Sequence, residues 1–560
     1  MMALFTATAT SVMIGSMTIA GGMSAFAATA LAATLNIVVG VGLSFIGSKL
    51  MGVFAATPTA GASSAYGVRT SINTGAETPR SFIVGRYATA GSLVYANTWG
   101  EHAVPNSHLT LVIALSDLPV QGLRQVYVGG LPITLDPDTS THGFMGAPAL
   151  EYRAKPHWAG EDRDDVPEED FLWVKFYDGN QTVADQFLVN NVSSDDRPWE
   201  STRVGKGVAY AIVTARVHRE LFSGIPKFRF ELDGIPLYDL TKDSSTGGYG
   251  LHRWDDRSTW GGDGDHLPIV QAYSIMRGIT DPYTGEWFYG LQGMGEAQLP
   301  PDNWCDAVAA CRAQIAERFG DEAQFTSGGE ITVDTEIGEA VEALMDTCVG
   351  RLSEIGGTYK VHAGAMRPAV ASFTDAAILS STDQTFTPFF GLSNAVNGVT
   401  ATYPSPEQSW NMTAAPTLFN PEFELEDGGR RLLTSIELPF CYRDEQVQRL
   451  MRWAMREARR ARRHTFTLPP QFWPLEPGDV VEWTSARNGY STKKFRVDGV
   501  LDLENLDVVV DLTEVDPSDY SWDSATDFSP PLHGSISPGR PAAQPIVDWF
   551  AEKAIIYDEN

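Results

Sequence analysis

The stretch "DTEIGEAVEALMDTCVGRLSEIGGTYKVHAG", Asp334 to Gly364, combines a helical pattern with a hairpin pattern. Apolar residues recur at helical spacing through Cys348, with Asp334 or Thr335 as the N-cap and Gly350 as the end. Gly356-Gly357 then separates two short β-rich segments, as in a two-residue hairpin turn. The pattern predicts a small α/β subdomain over residues 331–375.

Upstream of this subdomain, short β-branched and aromatic segments alternate with Gly, Pro, Asn and Asp. Examples are "SFIVGRY", "HLTLVIALSD", "GVAYAIVTARVH" and "KFRFELDGIPLYD". We expect a first β-rich domain over residues 61–240, with a polar insertion at about 139–202. A mixed connecting region, 241–330, follows, and its apolar spacing predicts a helix over 303–320.

Downstream, "RDEQVQRLMRWAMREARRARR", Arg443 to Arg463, predicts an amphipathic helix within a second barrel-like domain, 376–516. Two interpretations of its arginines remain open: they contact phosphates or another charged surface, or they pair with carboxylates of the same chain. The candidate charged interface comprises Arg452, Arg456, Arg459, Arg460 and Arg463.

Three closely spaced β segments over residues 475–515 have the texture of an oligonucleotide-binding-fold barrel, a fold that implies no function by itself. Residues 517–560 are expected to form a C-terminal linker and tail. The predicted class is therefore mainly β with α+β inserts: tandem barrel-like domains, a barrel of this kind near the C-terminus, and an apolar N-terminal segment.

That N-terminal segment, residues 1–60, has no charged residue before Lys49 and is rich in Gly and Ala. A run of about 20 apolar residues is long enough to cross a membrane. Membrane anchor, signal peptide and a segment buried in an assembly all remain open, although a basic n-region is absent. The residues proposed for an axial plug or a membrane contact are Leu35, Ile37, Val38, Val39, Val41, Leu43, Phe45 and Ile46.

The 560 residues carry a net charge of -29, which disfavours a general nucleic-acid or anionic-membrane surface. The motifs of common hydrolases, nucleotide-binding folds and metalloproteases are absent from the sequence, and no metal or cofactor site is expected. The four cysteines, Cys305, Cys311, Cys348 and Cys441, have no CxxC spacing and are expected to be free thiols. Cys441 precedes a helix, but the next histidine, His464, lies beyond that helix. We therefore expect no enzyme.

Six segments in order resemble one family. They begin "HLTLVIALSDLPVQGLRQVYVGGLPI", "GKGVAYAIVTARVHRELFSGIPKFRFELDGIPLYD", "EAVEALMDTCVG", "NGVTATYPSPEQSW", "ELPFCYRDEQVQRL" and "LEPGDVVEWTS". This order is similar to the central tail-tip, or baseplate hub, proteins of long flexible-tailed phages and of gene transfer agents. The resemblance covers roughly residues 78–523.

The resemblance implies a virion protein of the tail tip, synthesised in the host cytoplasm. It implies a homotrimer that closes the tail tube, joins the distal tail protein to tip or fibre proteins, holds the C-terminal end of the tape-measure protein, and opens for DNA ejection. DNA would pass without sequence-specific binding, and the N-terminal segment would contact the host membrane. Longer relatives continue into receptor-binding modules, so we expect separate fibre or tip proteins to recognise the receptor.

The alternative from a different class is a membrane-anchored envelope protein with a β-rich soluble domain. A wall hydrolase is disfavoured because no catalytic constellation is apparent.

Overall fold

The computed structural model describes residues 78–531, apart from 101–103, 105, 139–142, 157–165, 219–220, 223, 319, 365 and 389–394. Strands predominate over helices in these residues, so the predicted mainly-β class is confirmed. The strands up to residue 332 are β1 (Ser81–Thr89), β2 (Ser92–Trp99), β3 (His108–Ser116), β4 (Gly122–Val128), β5 (Leu131–Ile133), β6 (Ala147–Pro148), β7 (Arg153–Ala154), β8 (Glu169–Asp170), β9 (Leu172–Tyr177), β10 (Ala209–Arg216), β11 (Phe228–Asp233), β12 (Ile279–Thr280), β13 (Trp287–Tyr289), β14 (Gln314–Glu317), β15 (Gly320–Ala323) and β16 (Gly328–Thr332).

Twelve further strands follow in the described part of the chain. They are β17 (Arg351–Ile355), β18 (Thr358–His362), β19 (Ala371–Thr374), β20 (Thr385–Thr387), β21 (Gly398–Ser405), β22 (Asn411–Ala414), β23 (Leu418–Phe419), β24 (Leu433–Glu437), β25 (Arg463–Leu468), β26 (Val480–Ser485), β27 (Tyr490–Asp502) and β28 (Val508–Glu514). The α-helices of the same residues are α1 (Pro268–Arg277), α2 (Pro301–Arg312), α3 (Ile337–Asp346), α4 (Pro421–Glu426), α5 (Asp444–Ala458) and α6 (Ser524–Asp527).

The N-terminal region is built from two five-stranded sheets. Their orders are β16-β1-β11-β4-β5 and β2-β3-β10-β9-β6. Alternate side chains of the two sheets, such as Ile83 and Phe230 from one and Ile113 and Val213 from the other, share one buried core. The strand β16 pairs with β1 although it crosses the predicted boundary between the connecting region and the small subdomain, because long-range pairing leaves no trace in the local pattern.

The predicted helix over 303–320 is too long at its C-terminal end. The helix α2 ends at Arg312, Ala313 is already extended, and β14 pairs with β15 in a hairpin. Ile315, which has helical spacing from Cys311, therefore lies in a strand. Apolar spacing alone does not distinguish the two states when the segment is short.

The helix and hairpin of the 331–375 region are confirmed. The helix α3 has Glu336 at its N-cap, one or two residues later than predicted, and Gly350 N–H bonds to the Met345 carbonyl (2.8 Å) just after it. The strands β17 and β18 pair around Gly356 and Gly357, whose φ values are +58° and +82°. Both glycines thus adopt the left-handed conformation that this turn requires.

The C-terminal region contains a six-stranded sheet in the order β19-β26-β27-β28-β25-β20 around its own aromatic core. The predicted strands of 475–515 are β26, β27 and β28. The edge strands of the six-stranded sheet are β19 and β20, and each has one partner strand among the described residues. A smaller sheet around β21 packs against α5.

The helices α1, α2, α3 and α5 share the largest buried core of the described residues, through side chains such as Tyr273, Trp304, Leu344 and Trp453. This core joins the N-terminal sheets to the C-terminal region.

Candidate functional site

The arginine-rich helix α5 is largely buried within the fold. It is shorter than the predicted range 443–463, because it ends at Ala458 and Arg463 opens β25. Asp444 and Glu445 in its first turn interact favourably with the helix dipole. The predicted apolar face is buried at Val447, Leu450, Met451 and Ala454.

Two arginines at the N-terminal half of α5 are buried against a carboxylate of β14. The Arg449 side chain is fully buried, and its Nη1 lies 3.0 Å from Glu317 Oε1. Arg443 also pairs with Glu317, and its Nη2 lies 2.9 Å from Glu322 Oε2. Because a buried charge requires a partner, Glu317 fixes the hairpin of β14 and β15 against the helix.

The five arginines of the candidate charged interface are spread along α5 and the segment after it. Arg452 pairs with Asp527, and Arg459 Nη1 lies 2.9 Å from Asp427 Oδ2. Arg460 Nε donates to Asp519 Oδ2 (2.7 Å), and Arg456 Nη1 donates to the Ser518 carbonyl (2.6 Å). Arg463 is exposed. Three of the five thus pair with carboxylates of the same chain, as in the second interpretation left open by the sequence, and Arg456 bonds to a backbone carbonyl.

A cleft of about 640 Å³ lies beside the C-terminal end of α5. Its charged lining includes both signs: Arg456, Arg459, Arg460 and Arg462 face Glu422, Glu426, Glu514 and Asp519. Glu426, Asp519 and Glu514 already pair with Arg459, Arg460 and Arg462, so most of the positive charge in the cleft is compensated within the chain.

Glu457, near the end of α5, connects three parts of the fold. Its Oε1 lies 2.7 Å from Arg496 Nη1 of β27, and it also pairs with Arg351 of β17. Burial opposes ionisation of this carboxyl, but the two guanidiniums outweigh burial and lower its pKa. Helix, hairpin and C-terminal sheet are therefore held by one buried carboxylate.

A second buried carboxylate, Glu231 of β11, links the N-terminal sheets to the loop before β22. Glu231 Oε2 accepts hydrogen bonds from the Tyr127 hydroxyl (2.8 Å) and from Trp410 Nε1 (3.0 Å). Arg86 Nε donates to Glu231 Oε1 (2.7 Å). The N-terminal and C-terminal regions are thus joined by specific polar contacts as well as by the shared core.

Burial makes Cys441 and Cys305 unreactive thiols. Cys441 is fully buried, and burial raises its pKa to about 12. Burial raises the pKa of Cys305 to about 11. Thiols with raised pKa values are poor nucleophiles. Within the described residues, no group of three His, Cys, Asp or Glu side chains is arranged to hold a metal ion.

The proposed plug residues from Leu35 to Ile46 lie outside the described residues. Among the residues that are described, no helix is long and apolar enough to cross a membrane.

The sequence reasoning missed a pair of features near α1. One is a loop before Arg253 that exposes Tyr249 and Leu251, and the other is a cavity of about 690 Å³ lined by Trp254, Trp260 and other residues. The signal available in the sequence was "TGGYGLHRW", an aromatic and a leucine flanked by glycines.

The chain is similar to known proteins in sequence and in fold. Residues 336–500 match the sequence model of a family described as "Putative phage tail protein". The chain is 22% identical over 443 residues to the "Baseplate hub protein pb3" of Escherichia phage T5, covering 70% of this chain and 43% of that protein. The chain therefore spans less than half the length of this curated relative.

The fold is similar to a chain in the solved structure "Virion of native gene transfer agent (GTA) particle". The TM-score is 0.52 at 17% identity, and the match covers 90% of this chain and 98% of that one. The predicted resemblance is thereby confirmed: this chain is similar to phage tail proteins, among them a baseplate hub protein.

Proposed function

We propose that the chain is a baseplate hub that closes the end of a phage or phage-like tail tube as a homotrimer. The observation that carries this proposal is the sequence relationship to a baseplate hub protein over 443 residues. The fold shared with a chain of a gene transfer agent particle supports it.

Buried charged contacts between separate parts of the fold suit a hub that bears mechanical load. Glu231, Glu317 and Glu457 each join separate parts of the fold through buried charged contacts. Interactions of this kind are strongly geometry-dependent, so they favour one relative arrangement of the parts.

An edge strand supports association between copies. The strand β2 has one partner strand among the described residues, and Val94 on it is 59% exposed. Closed rings of subunits remove such edges from solvent.

In this proposal the hub engages the distal tail protein above it, tip or fibre proteins below it, and the C-terminal end of the tape-measure protein in the lumen. DNA passes the hub during ejection without sequence-specific binding, in accord with the net charge of -29. The segment containing Leu35 to Ile46 gathers near the threefold axis as a plug and contacts the host membrane after opening.

Native mass spectrometry of the full-length chain tests the trimer. We expect about 183 kDa, three times the 61.0 kDa of one chain. A monomer at micromolar concentration contradicts the trimer, and recovery solely with membranes supports the anchored alternative. Deletion of residues 1–48 tests the plug separately: we expect loss of DNA delivery, and delivery at the wild-type level contradicts that role.

A further inference from the structure

The cavity of about 690 Å³ beside α1 combines aromatic and polar residues in one wall. Three lining side chains are aromatic and retain exposed surface: Trp254, Trp260 and Tyr283. The polar side chains in the wall include Gln121, Asp178, Asn180 and Arg257. A cavity of this size takes a small organic molecule, and the polar groups in its wall determine which one.

Arg257 provides the positive charge of this wall. Its Nη2 donates to the Thr280 hydroxyl, and its guanidinium lies over the Trp260 ring, 4.9 Å from the ring centroid. Arg257 forms no ion pair among the described residues, and burial lowers its pKa although the charge of Asp281 acts in the opposite direction. Because a guanidinium withdrawn from water without a carboxylate partner is costly, a bound anion would stabilise it.

Several other hydrogen-bond donors of the wall are already used within the chain. Gln121 Nε2 donates to Asp265 Oδ2 (2.6 Å), and Asn180 Nδ2 donates to Asp178 Oδ2 (2.9 Å). The Tyr283 hydroxyl donates to Asn180 Oδ1 (2.7 Å). Apart from Arg257, these side chains therefore offer a ligand few donors.

Acceptor oxygens of the wall remain available. Gln121 Oε1 accepts no hydrogen bond among the described residues. The Asp178 carboxylate accepts from the backbone N–H and the side-chain amide of Asn180, one bond to each oxygen. Because each carboxylate oxygen has a second lone pair, Asp178 accepts further bonds. A complementary ligand thus brings one anionic group for Arg257 and several donors for these oxygens.

A sugar acid supplies this combination. Each of its hydroxyls can donate to an acceptor of the wall, and its single carboxylate matches the planar fork of a guanidinium. A peptide carboxylate instead brings one carbonyl acceptor with every N–H donor, and those carbonyls would meet the acceptors of the wall. A phosphate monoester brings about −1.5 to −2 charges close to Asp178.

We propose that this cavity binds an acidic sugar residue, with its carboxylate paired to Arg257 and its hydroxyls donating to Gln121 Oε1 and Asp178. The C–H surface of the sugar ring packs on the exposed parts of Trp254 and Trp260. Since the net charge of -29 disfavours a polyanion, the acidic residue belongs to an otherwise neutral glycan. This binding activity goes beyond closure of the tail tube and does not depend on the number of copies.

Ligand-observed NMR of the full-length chain tests the class of ligand. The probes are the methyl glycosides of glucuronic, galacturonic and mannuronic acid, each compared with its neutral counterpart, the methyl glycoside of glucose, galactose or mannose. We expect at least one sugar acid to bind, at least tenfold more tightly than its neutral counterpart. Equal binding of acid and neutral sugar, or no binding of any acid up to about 10 mM, overturns the inference.

Two further probes separate the sugar acid from other anions. Acetyl-phenylalanine represents a peptide carboxylate, and glucose 6-phosphate represents a phosphate monoester. Both are expected to bind more weakly than the best sugar acid, because neither matches the acceptors and the single guanidinium of the wall. Tighter binding of either probe overturns the choice of ligand.

A variant tests the role of Arg257. Arg257→Gln is expected to abolish the preference for the acid, so that the acid binds as weakly as its neutral counterpart. The control, Arg463→Gln, alters an exposed arginine outside the cavity and is expected to keep the preference. A preference that persists in Arg257→Gln overturns the assigned carboxylate contact.

Photo-crosslinking of the wild-type chain locates the site without any variant. A diazirine on the aglycone of the best sugar acid is expected to label residues 254–260 and 274–283, and an excess of the unlabelled sugar is expected to prevent it. Labelling elsewhere overturns the inference. Native mass spectrometry of the same preparation counts the copies: a monomer that binds the sugar contradicts only the trimer, and a trimer that does not bind it overturns only this inference.

Discussion

Ion pairs between single buried residues hold the helix α5 in its place within the fold. Glu317 is 7% exposed at its side chain and pairs with both Arg443 and Arg449. Neither arginine was distinguishable in the sequence from the exposed Arg463, since the partner carboxylate lies more than 100 positions away. Hydrophobic periodicity predicts the buried face of a helix but not which of its charges have buried partners.

Glu317→Gln is expected to lower the free energy of unfolding by about 3–5 kcal/mol, because it leaves two buried guanidiniums without their shared carboxylate. Denaturant unfolding followed by tryptophan fluorescence measures this change. The control is Glu322→Gln, whose carboxylate also contacts Arg443 but is 47% exposed, and it is expected to lose less than about 1 kcal/mol. Equal losses of unfolding free energy in the two variants would contradict this role of Glu317.

His464 predicts a pH dependence. Its Nε2 lies 3.0 Å from the Tyr490 hydroxyl, and the ring is enclosed by Phe386, Trp483 and Phe495. Burial, reinforced by Arg462, lowers the pKa of His464 from 6.5 to about 4. As the pH falls, the imidazole of His464 therefore becomes protonated in the unfolded chain before it does in the folded protein. The stabilisation of the folded state by the neutral side chain is thus complete above pH 6.5 and is lost toward pH 4.

The loss is expected to reach about 2–3 kcal/mol between these two pH values. Comparison of wild type with His464→Phe cancels the carboxylates that titrate in both proteins. The difference in unfolding midpoint is expected to shift in favour of the variant as the pH falls. A constant difference between pH 7.5 and pH 4 would contradict the lowered pKa.

At the scale of elements, local patterns predicted what local interactions determine. The hairpin around Gly356 and Gly357 and the apolar face of α5 are confirmed. Helix ends were less predictable: α2 stops at Arg312 because the next residues pair in a hairpin, and α5 stops at Ala458 before β25. In both cases a following strand ends a pattern that by itself permits more helix.

The segment after α5 is expected to stabilise the fold chiefly through Arg460. This arginine contacts Asp519, which is 5% exposed, so Arg460→Gln leaves a buried carboxylate unpaired and is expected to lose about 2–3 kcal/mol. Arg463→Gln, at an exposed residue with no ion pair among the described residues, is expected to change stability by less than about 0.5 kcal/mol. Thermal unfolding of both variants measures the two losses of stability. A larger loss in Arg463→Gln than in Arg460→Gln would contradict this prediction.

At the scale of the whole molecule, one core and the buried carboxylate of Glu231 join the N-terminal sheets to the C-terminal region. The order of segments predicted the relationship to tail-tip proteins, which residues 336–500 and the baseplate hub relative confirm. The pairing of β16 with β1 and the bridge from Glu231 to Trp410 were not predictable, because each joins residues far apart in sequence. The cavity near Trp254 was missed for the same reason, since its wall comes from five separate segments.

The central claim is that this chain is the hub at the tail tip. Electron cryo-microscopy of particles purified from the native host, with threefold averaging of the tail end, tests it most directly. We predict density for residues 78–531 in three copies that close the distal end of the tail tube. Particles that lack the chain, or that carry it away from the tail tip, would contradict the proposed function.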